Sequence, residues 1–334
     1  TITWDAVNGA DNYYIYRALT STGTYSDIGY SSNVSYEDSS IDVGATYFYK
    51  VKAYAFNFGF SELSTSDYGY LKYEFEFIKS WGGSGPGQFQ LSYGAECSGR
   101  NIFIVDFVKD CVIKFALDGT FLKTWGVSGT GDGEFDDPID IAIDSGGNIY
   151  ITDSGNDRIQ KFNVQGNFVL TWGSSGSGNN QFQKPMSIDV DSIDNVYVLD
   201  YQDAKIKKYT SQGVYITSWS IETNSKSMAI DGKDNVYVAS VNSKLISKYD
   251  SNGNFIMSWS VYYPDEIAIN KKNNIIFFSD HDLNTIRIYN STGNYLGEVC
   301  SGLTSIYAIG IDSQGNIYAV DSSTDLVYKY GRSE

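Results

Sequence analysis

The chain has 334 residues, with 24 Lys plus Arg against 40 Asp plus Glu and a formal charge of −16. Such a charge repels phosphate backbones and anionic lipid surfaces, which excludes nucleic acid as a partner, and no run approaches the roughly 18–20 apolar residues of a membrane span. The length exceeds the needs of one ordinary domain and points to two. Glycine, serine, asparagine and tyrosine are abundant while lysine is sparse, a texture of extracellular and cell-surface β proteins. The chain begins with Thr1 and carries no basic-then-apolar leader pattern, as expected of a processed product or a fragment. Cys97, Cys111 and Cys300 cannot all pair within one chain and show no CxxC spacing, so they read as buried small apolar residues. Sequons at Asn33 ("NVS") and Asn290 ("NST") are candidate glycosylation sites that agree with export.

In chain order, "TITWDAVNGADNYYIYRA" gives a strand, a polar turn and an alternating strand; "GTYSDIG", "VSYEDSS" and "TYFYKVKAYA" supply further strands at sandwich spacing. Through Trp4, "GADNYYIYR", and Tyr47, Tyr49 and Val51 ahead of "FGFSE", residues 1–69 resemble a fibronectin type III domain, an immunoglobulin-like β-sandwich. The resemblance begins at that fold's second strand. With the first strand missing or lying upstream, Thr1, Ile2, Thr3 and Trp4 would present an edge to which a neighbour's strand could add. Residues 70–76, overlapping "DYGYLKYE" (67–74), read as a short junction too aromatic for a flexible linker.

The remainder repeats itself. Asp106, Asp153, Asp200, Ser240, Asp280 and Asp321 end equivalent apolar runs at intervals of 47, 47, 40, 40 and 41 residues, the period of a propeller or solenoid. Each unit holds four short segments bounded by turn residues, for example "PIDIAID", "NIYITD", "RIQKF" and "FVLTW" over residues 138–172. Four antiparallel strands make one propeller blade. An aromatic-x3-Trp signature marks the fourth strand at Phe77 to Trp81, Phe121 to Trp125, Phe168 to Trp172, Tyr215 to Trp219 and Phe255 to Trp259, with a degenerate copy at Tyr295 to Val299. The first copy precedes any complete unit and the last unit stops at "LVYKYGRSE", so residues 77–82 are predicted to complete the final blade and close a ring over 77–334. These units resemble the NHL-repeat family of six-bladed β-propellers, most fully in "WGVSGTGDGEFDDPIDIAIDSGGNIYITDSGNDRIQKF". The expected fold is all-β: a sandwich followed by a six-bladed propeller. The first unit departs most, lacking the proline and placing Cys97 where others have aspartate.

A propeller's binding surface gathers at the loops that join strand two to three and strand four to one. The near ring of Asp106, Asp153, Asp200, Asp280 and Asp321 could hold calcium, but an Asp at a strand end commonly caps the following turn, which every unit needs. A second set, Tyr93, Asp140, Ser187, Ser227, Glu266 and Ala308, varies between units as an asymmetric ligand surface would. The Gly-rich segments at 82–89, 126–135 and 173–182 lead into strands and lack a P-loop Lys, so they are rim loops rather than phosphate cradles. Some NHL-like propellers are metal-dependent lyases with several axial histidines; this chain has one, His281, read as a solvated turn residue. No catalytic triad assembles around it, and the adjacent Asp136 and Asp137 fix no spacing across a substrate. No cofactor is expected. The leading reading is a non-enzymatic extracellular or cell-surface module that contacts protein, a second copy of itself, or a surface glycan. The competing one is a lyase or hydrolase acting at the propeller mouth.

Overall fold

The computed structural model describes residues 1–4, 11–20, 22–41, 46–55, 59–60, 67–70, 75–83, 85, 87–280, 282–299 and 303–332. His281 and Cys300, both singled out in the sequence, lie outside them. The chain forms two compact units, Thr1–Lys72 and Tyr73–Glu334.

In the first unit, Ser26–Ser31, Asn12–Ala18, Thr46–Ala55 and Gly59–Phe60 lie side by side, and Asp67–Tyr70 also pairs with Thr46–Ala55. A separate pair joins Ile2–Thr3 to Ser35–Tyr36. Alternation along "NYYIYRA" buries Tyr13 and Ile15, as a strand with one face on a core requires, and Ala18 at the strand's end is buried out of that phase. Ile15, Tyr47 and Tyr49 form that core, with Ile2, Trp4, Ile28, Tyr36 and Ile41 packed against it. Arg17 and Asp38 add an ion pair at 2.8 Å.

The second unit is six four-stranded antiparallel sheets, one per sequence unit. Blade one is Ser92–Ser98, Asn101–Asp106, Cys111–Ala116 and Phe121–Trp125; blade two is Pro138–Ile143, Ile149–Asp153, Arg158–Phe162 and Phe168–Trp172. Blades three to five begin at Pro185–Val190, Ser225–Ile230 and Pro264–Asn270. Blade six takes Ile306–Ile311, Ile317–Asp321 and Leu326–Arg332 from the chain's end and Phe75–Gly82 from before blade one. The first strand of each blade is innermost and packs on its two neighbours round the ring.

The Trp signature has a defined role. The indoles of Trp81, Trp125, Trp172, Trp219 and Trp259 meet, edge to face, Tyr318, Phe103, Tyr150, Tyr197 and Tyr237 of their own blades at centroid distances of 6.0–6.2 Å. A glycine turn of the next blade lies against each indole: Gly119, Gly166, Gly213, Gly253 and Gly293. A Cβ on Gly119 would stand 2.8 Å from the Trp81 ring, and its φ of +86° already favours glycine. Trp81 belongs to the strand before blade one and Gly119 to blade one, so the same contact that joins neighbours also latches the ring. Val299 replaces the indole where blade five meets blade six.

Four blades carry a further clip, Asp-x3-Asn-x-Tyr, at the innermost turn. Asp144 accepts from the Asn148 amide at 2.8 Å and the Tyr150 hydroxyl at 2.9 Å; Asp191, Asp231 and Asp312 do the same for Tyr197, Tyr237 and Tyr318. Blades one and five have Phe103 and Phe277 instead of the tyrosine. Blade one's first turn is one residue shorter, which shifts everything upstream of it. Cys97 pairs with Ile102 as Ile143 pairs with Ile149, so Ser98, not Cys97, stands where the other blades have aspartate.

Gly119→Ala should cost about 2–4 kcal/mol, strain plus overpacking, whereas Gly99→Ala, with φ +61° and open space around the added methyl, should cost about 1 kcal/mol. Denaturant melts of both variants measure the difference; equal costs would show that the Trp81 joint does not hold the latch.

Candidate functional site

The aspartates that end the second strands are wholly buried and committed to turns. Asp106 accepts from the backbone N–H groups of Gln90, Val108 and Lys109. Asp153 accepts from the Asp136 N–H, Asn156, Arg158 and Gln160. Asp200 is held by the Gln183 N–H and Lys207, Asp280 by Arg287 and the Leu283 N–H, and Asp321 by Thr304 and Ser323. Their lone pairs therefore go to protein donors. Among the described residues no three His, Cys, Asp or Glu side chains stand close enough to share a metal ion.

Opposite each of these aspartates, and opposite Ser240 at the same place in blade four, the innermost strand carries a bulge, which re-aims the next side chain. Asp140, Ser187, Ser227, Glu266 and Ala308 occupy this position in blades two to six. In blade one the short turn puts Gly94 there, facing Val105, and Tyr93 falls in the bulge itself, a correction to the alignment with Tyr93. Glycine is demanded at 94: a Cβ would lie 2.6 Å from the Ile139 carbonyl and 2.8 Å from Asp140 Cα.

Two cavities run along the axis. A 600 Å³ cavity opens at the mouth, walled by Tyr93, Phe107, Tyr201, Tyr263 and Tyr307. A 340 Å³ cavity lies beyond it, reaching Glu96, Cys97, Asp189 and Lys271. Asp140 and Glu266 line both and so stand where the two meet. They come from blades two and five, opposite members of the ring.

Serines hold both. Ser187 Oγ donates to Asp140 Oδ2 at 2.8 Å, and that carboxylate also accepts from the N–H groups of Ile188 at 2.9 Å and Ile141 at 2.7 Å. Ser227 hydrogen-bonds Glu266 and accepts from the Ile267 N–H at 3.1 Å. Burial pushes the Asp140 carboxyl up to about 7, despite three hydrogen bonds that favour its charge, and nearby Asp189 adds to the rise. Glu266 is half-buried in the channel wall; burial, then the charge of Asp140, raises it well above the usual carboxylate range. Deeper in the channel burial takes Glu96 up to about 8, with Lys271 opposing. Lys271 is the extra residue in blade five's first turn and donates to Asp189 at 2.9 Å and to the Val190 carbonyl at 2.9 Å.

At the mouth Tyr93 stacks edge to face on Phe107 at 5.2 Å and on Tyr307 at 5.1 Å. Lys244 sits 3.9 Å over the Tyr263 ring, and Lys226 pairs with Asp265 at 3.1 Å. Sequence reasoning did not find Tyr201, Tyr263 or Tyr307, because their loops carry no repeated signature.

The remaining candidates lie elsewhere. Ile2 and Trp4 turn into the first unit's core, and the Trp4 N–H donates to the Val34 carbonyl at 3.1 Å, leaving Thr1 and Thr3 exposed. Asn33 is exposed. Asn290 is 9% exposed, and its Oδ1 accepts from the N–H groups of Thr292 and Asn294.

With this geometry the comparisons with known proteins can be placed. Residues 135–162, from the start of blade two through its third strand, match the NHL repeat. One unit of the propeller thus matches the NHL repeat. Three solved structures share the fold: a streptogramin B lyase (12% identity, 78% of this chain and 98% of that chain, TM-score 0.56), virginiamycin B lyase from Staphylococcus aureus (14%, 77% and 99%, TM-score 0.58), and a catalytically inactive form of the same enzyme with quinupristin (14%, 78% and 99%, TM-score 0.56). At these identities the likeness is one of fold. No curated protein sequence matches the chain.

A carboxyl raised in the folded state contributes stability below its unfolded value and loses it as pH rises through the folded one. Glu266→Gln should therefore raise the melting temperature by a few degrees at pH 8 and leave it unchanged at pH 4. An equal shift at both pH values would show that Glu266 is not held protonated.

Proposed function

We propose that the chain is an extracellular or cell-surface binding module whose propeller mouth holds a small molecule, or a side chain presented by a partner protein. One observation carries this reading: aromatic side chains from blades one, three, five and six converge on a single cavity of 600 Å³ whose floor is a pair of carboxyls. Concave, partly apolar sites with a few converging polar groups are where ligands bind. The first unit, read as fibronectin type III-like, would present the propeller to that partner, which could be another protein, a second copy or a surface glycan.

A second reading is supported by one feature. Asp140, held near neutrality, and Glu266 form a pair able to take up and give back a proton, as a lyase or hydrolase acting at the mouth would need. The lyases that share the fold make that chemistry worth testing here.

A panel of amines, sugars and carboxylic acids screened by ligand-observed NMR separates these. At least one class should bind and should weaken about tenfold in Tyr307→Ala, a loss near 1.4 kcal/mol. No binding by any class, or binding indifferent to Tyr307→Ala, would remove the mouth as the site; conversion of a bound compound would favour the enzyme.

A further inference from the structure

We infer that the ligand of the mouth is an organic cation: an ammonium group set down between Asp140 and Glu266, on a ring-bearing or apolar body that rests against Tyr93, Tyr201, Tyr263 and Tyr307. The inference deepens the binding reading and rests on it.

The floor is the first consideration. Asp140 and Glu266 face the same space from opposite blades, and their hydrogen bonds come only from neutral donors: two serine hydroxyls and backbone N–H groups. Among the described residues no Lys or Arg pairs with either. Three cations nearby are engaged elsewhere, Lys226 with Asp265 at 3.1 Å above the floor, Lys271 with Asp189 at 2.9 Å below it, and Lys244 over the Tyr263 ring at 3.9 Å, while Lys272 lines the lower cavity. Lys184, at the rim, stands beside Asp137. Other acidic groups surround the pair: Asp189 raises Asp140, Asp265 raises Glu266, and Glu96 is itself raised by Asp189 and Asp140. In the empty site the two carboxyls relieve their desolvation and mutual repulsion by keeping protons. A bound cation would take the place of a proton, converting the cost of two buried carboxyls into attraction.

The walls match such a ligand. Aromatic faces around a carboxylate floor suit alkylated ammonium groups, since the ring quadrupole attracts the positive charge and the body replaces water on the rings. An anion would meet two carboxyls on the floor, with Lys226 already paired to Asp265 and Lys184 out at the rim near Asp137. A neutral sugar could stack on the tyrosines but would leave the pair protonated, so its affinity would not depend on pH. The net charge of −16 also draws cations toward the surface.

The test is calorimetric titration of the full chain with benzyltrimethylammonium, with glucose and benzoate as comparators. Benzyltrimethylammonium should bind, and its affinity should rise about tenfold or more between about pH 5.5 and 8.5 as the pair loses protons. Titration in two buffers of different ionisation enthalpy should show proton release on binding at pH 7. Glu266→Gln, which removes the charge and keeps the shape, should weaken binding at least about fivefold and flatten its pH dependence; its unchanged circular dichroism would show that it folds. Glucose or benzoate binding as tightly as the cation, with loss in Tyr307→Ala, would overturn the cation assignment and keep the mouth as the site. A cation that binds with no pH dependence would overturn the role of the pair. No binding of benzyltrimethylammonium at any pH would overturn the inference, while the wider panel decides the mouth separately.

Discussion

The propeller depends on one repeated joint, the indole of one blade receiving the glycine turn of the next. Within a blade the indole edge meets a second-strand aromatic ring, and in four blades that ring is a tyrosine tied through its hydroxyl to an aspartate at the innermost turn. The joint thus runs radially through a sheet and then sideways into its neighbour. Each aromatic pair is worth only about 0.5–1.5 kcal/mol beyond its area, but a ring with no free end must break one joint and one sheet before it opens. Because Phe75–Gly82 pairs with the last strand while Trp81 meets Gly119, a single short segment serves both purposes.

Closing six sheets round an axis leaves a channel, and the joint says nothing about what fills it. The six axial positions hold Gly94, Asp140, Ser187, Ser227, Glu266 and Ala308. The small residues allow close approach of neighbouring strands, as the tight fit at Gly94 shows, and the two serines serve mainly as donors to the two acids. A packed core would have placed aliphatic side chains there. Two carboxyls with only neutral partners in an enclosed channel reduce stability when ionised, and their presence is better explained by what enters the mouth than by what holds the ring. The proposed function is thereby confined to positions on which the fold makes no demand beyond size.

Much of this was legible in the sequence. The forty-residue period, the fourth-strand Trp signature and the ring-closing segment are all repeated patterns, and repetition reports architecture directly. The strand-end aspartates were legible as turn caps for the same reason. Positions that depart from the repeat were harder. Counting back from Asp106 placed Tyr93 on the axis, because one residue missing from the turn at Gly99 and Arg100 leaves no mark on composition or period. The converse, one extra residue in blade five, hid the reach of Lys271 into the channel. "DSGGNIY", "DSIDNVY", "DGKDNVY" and "DSQGNIY" did carry the Asp-Asn-Tyr clip openly, and only the hydrogen bonds showed its meaning. The burial of Asn290 and the convergence of Tyr201, Tyr263 and Tyr307 are tertiary facts that no local pattern encodes.

The central claim is that enclosure in the channel raises both the Asp140 and the Glu266 carboxyls above the range of ordinary carboxyls. Carbon-13 NMR titration of the side-chain carboxyls, with Asp140→Asn and Glu266→Gln for assignment, reads this directly. The account predicts an Asp140 midpoint of about 7 and a Glu266 transition far above the range of ordinary glutamates; both groups titrating below about pH 5, among the solvent-exposed carboxyls, would contradict it.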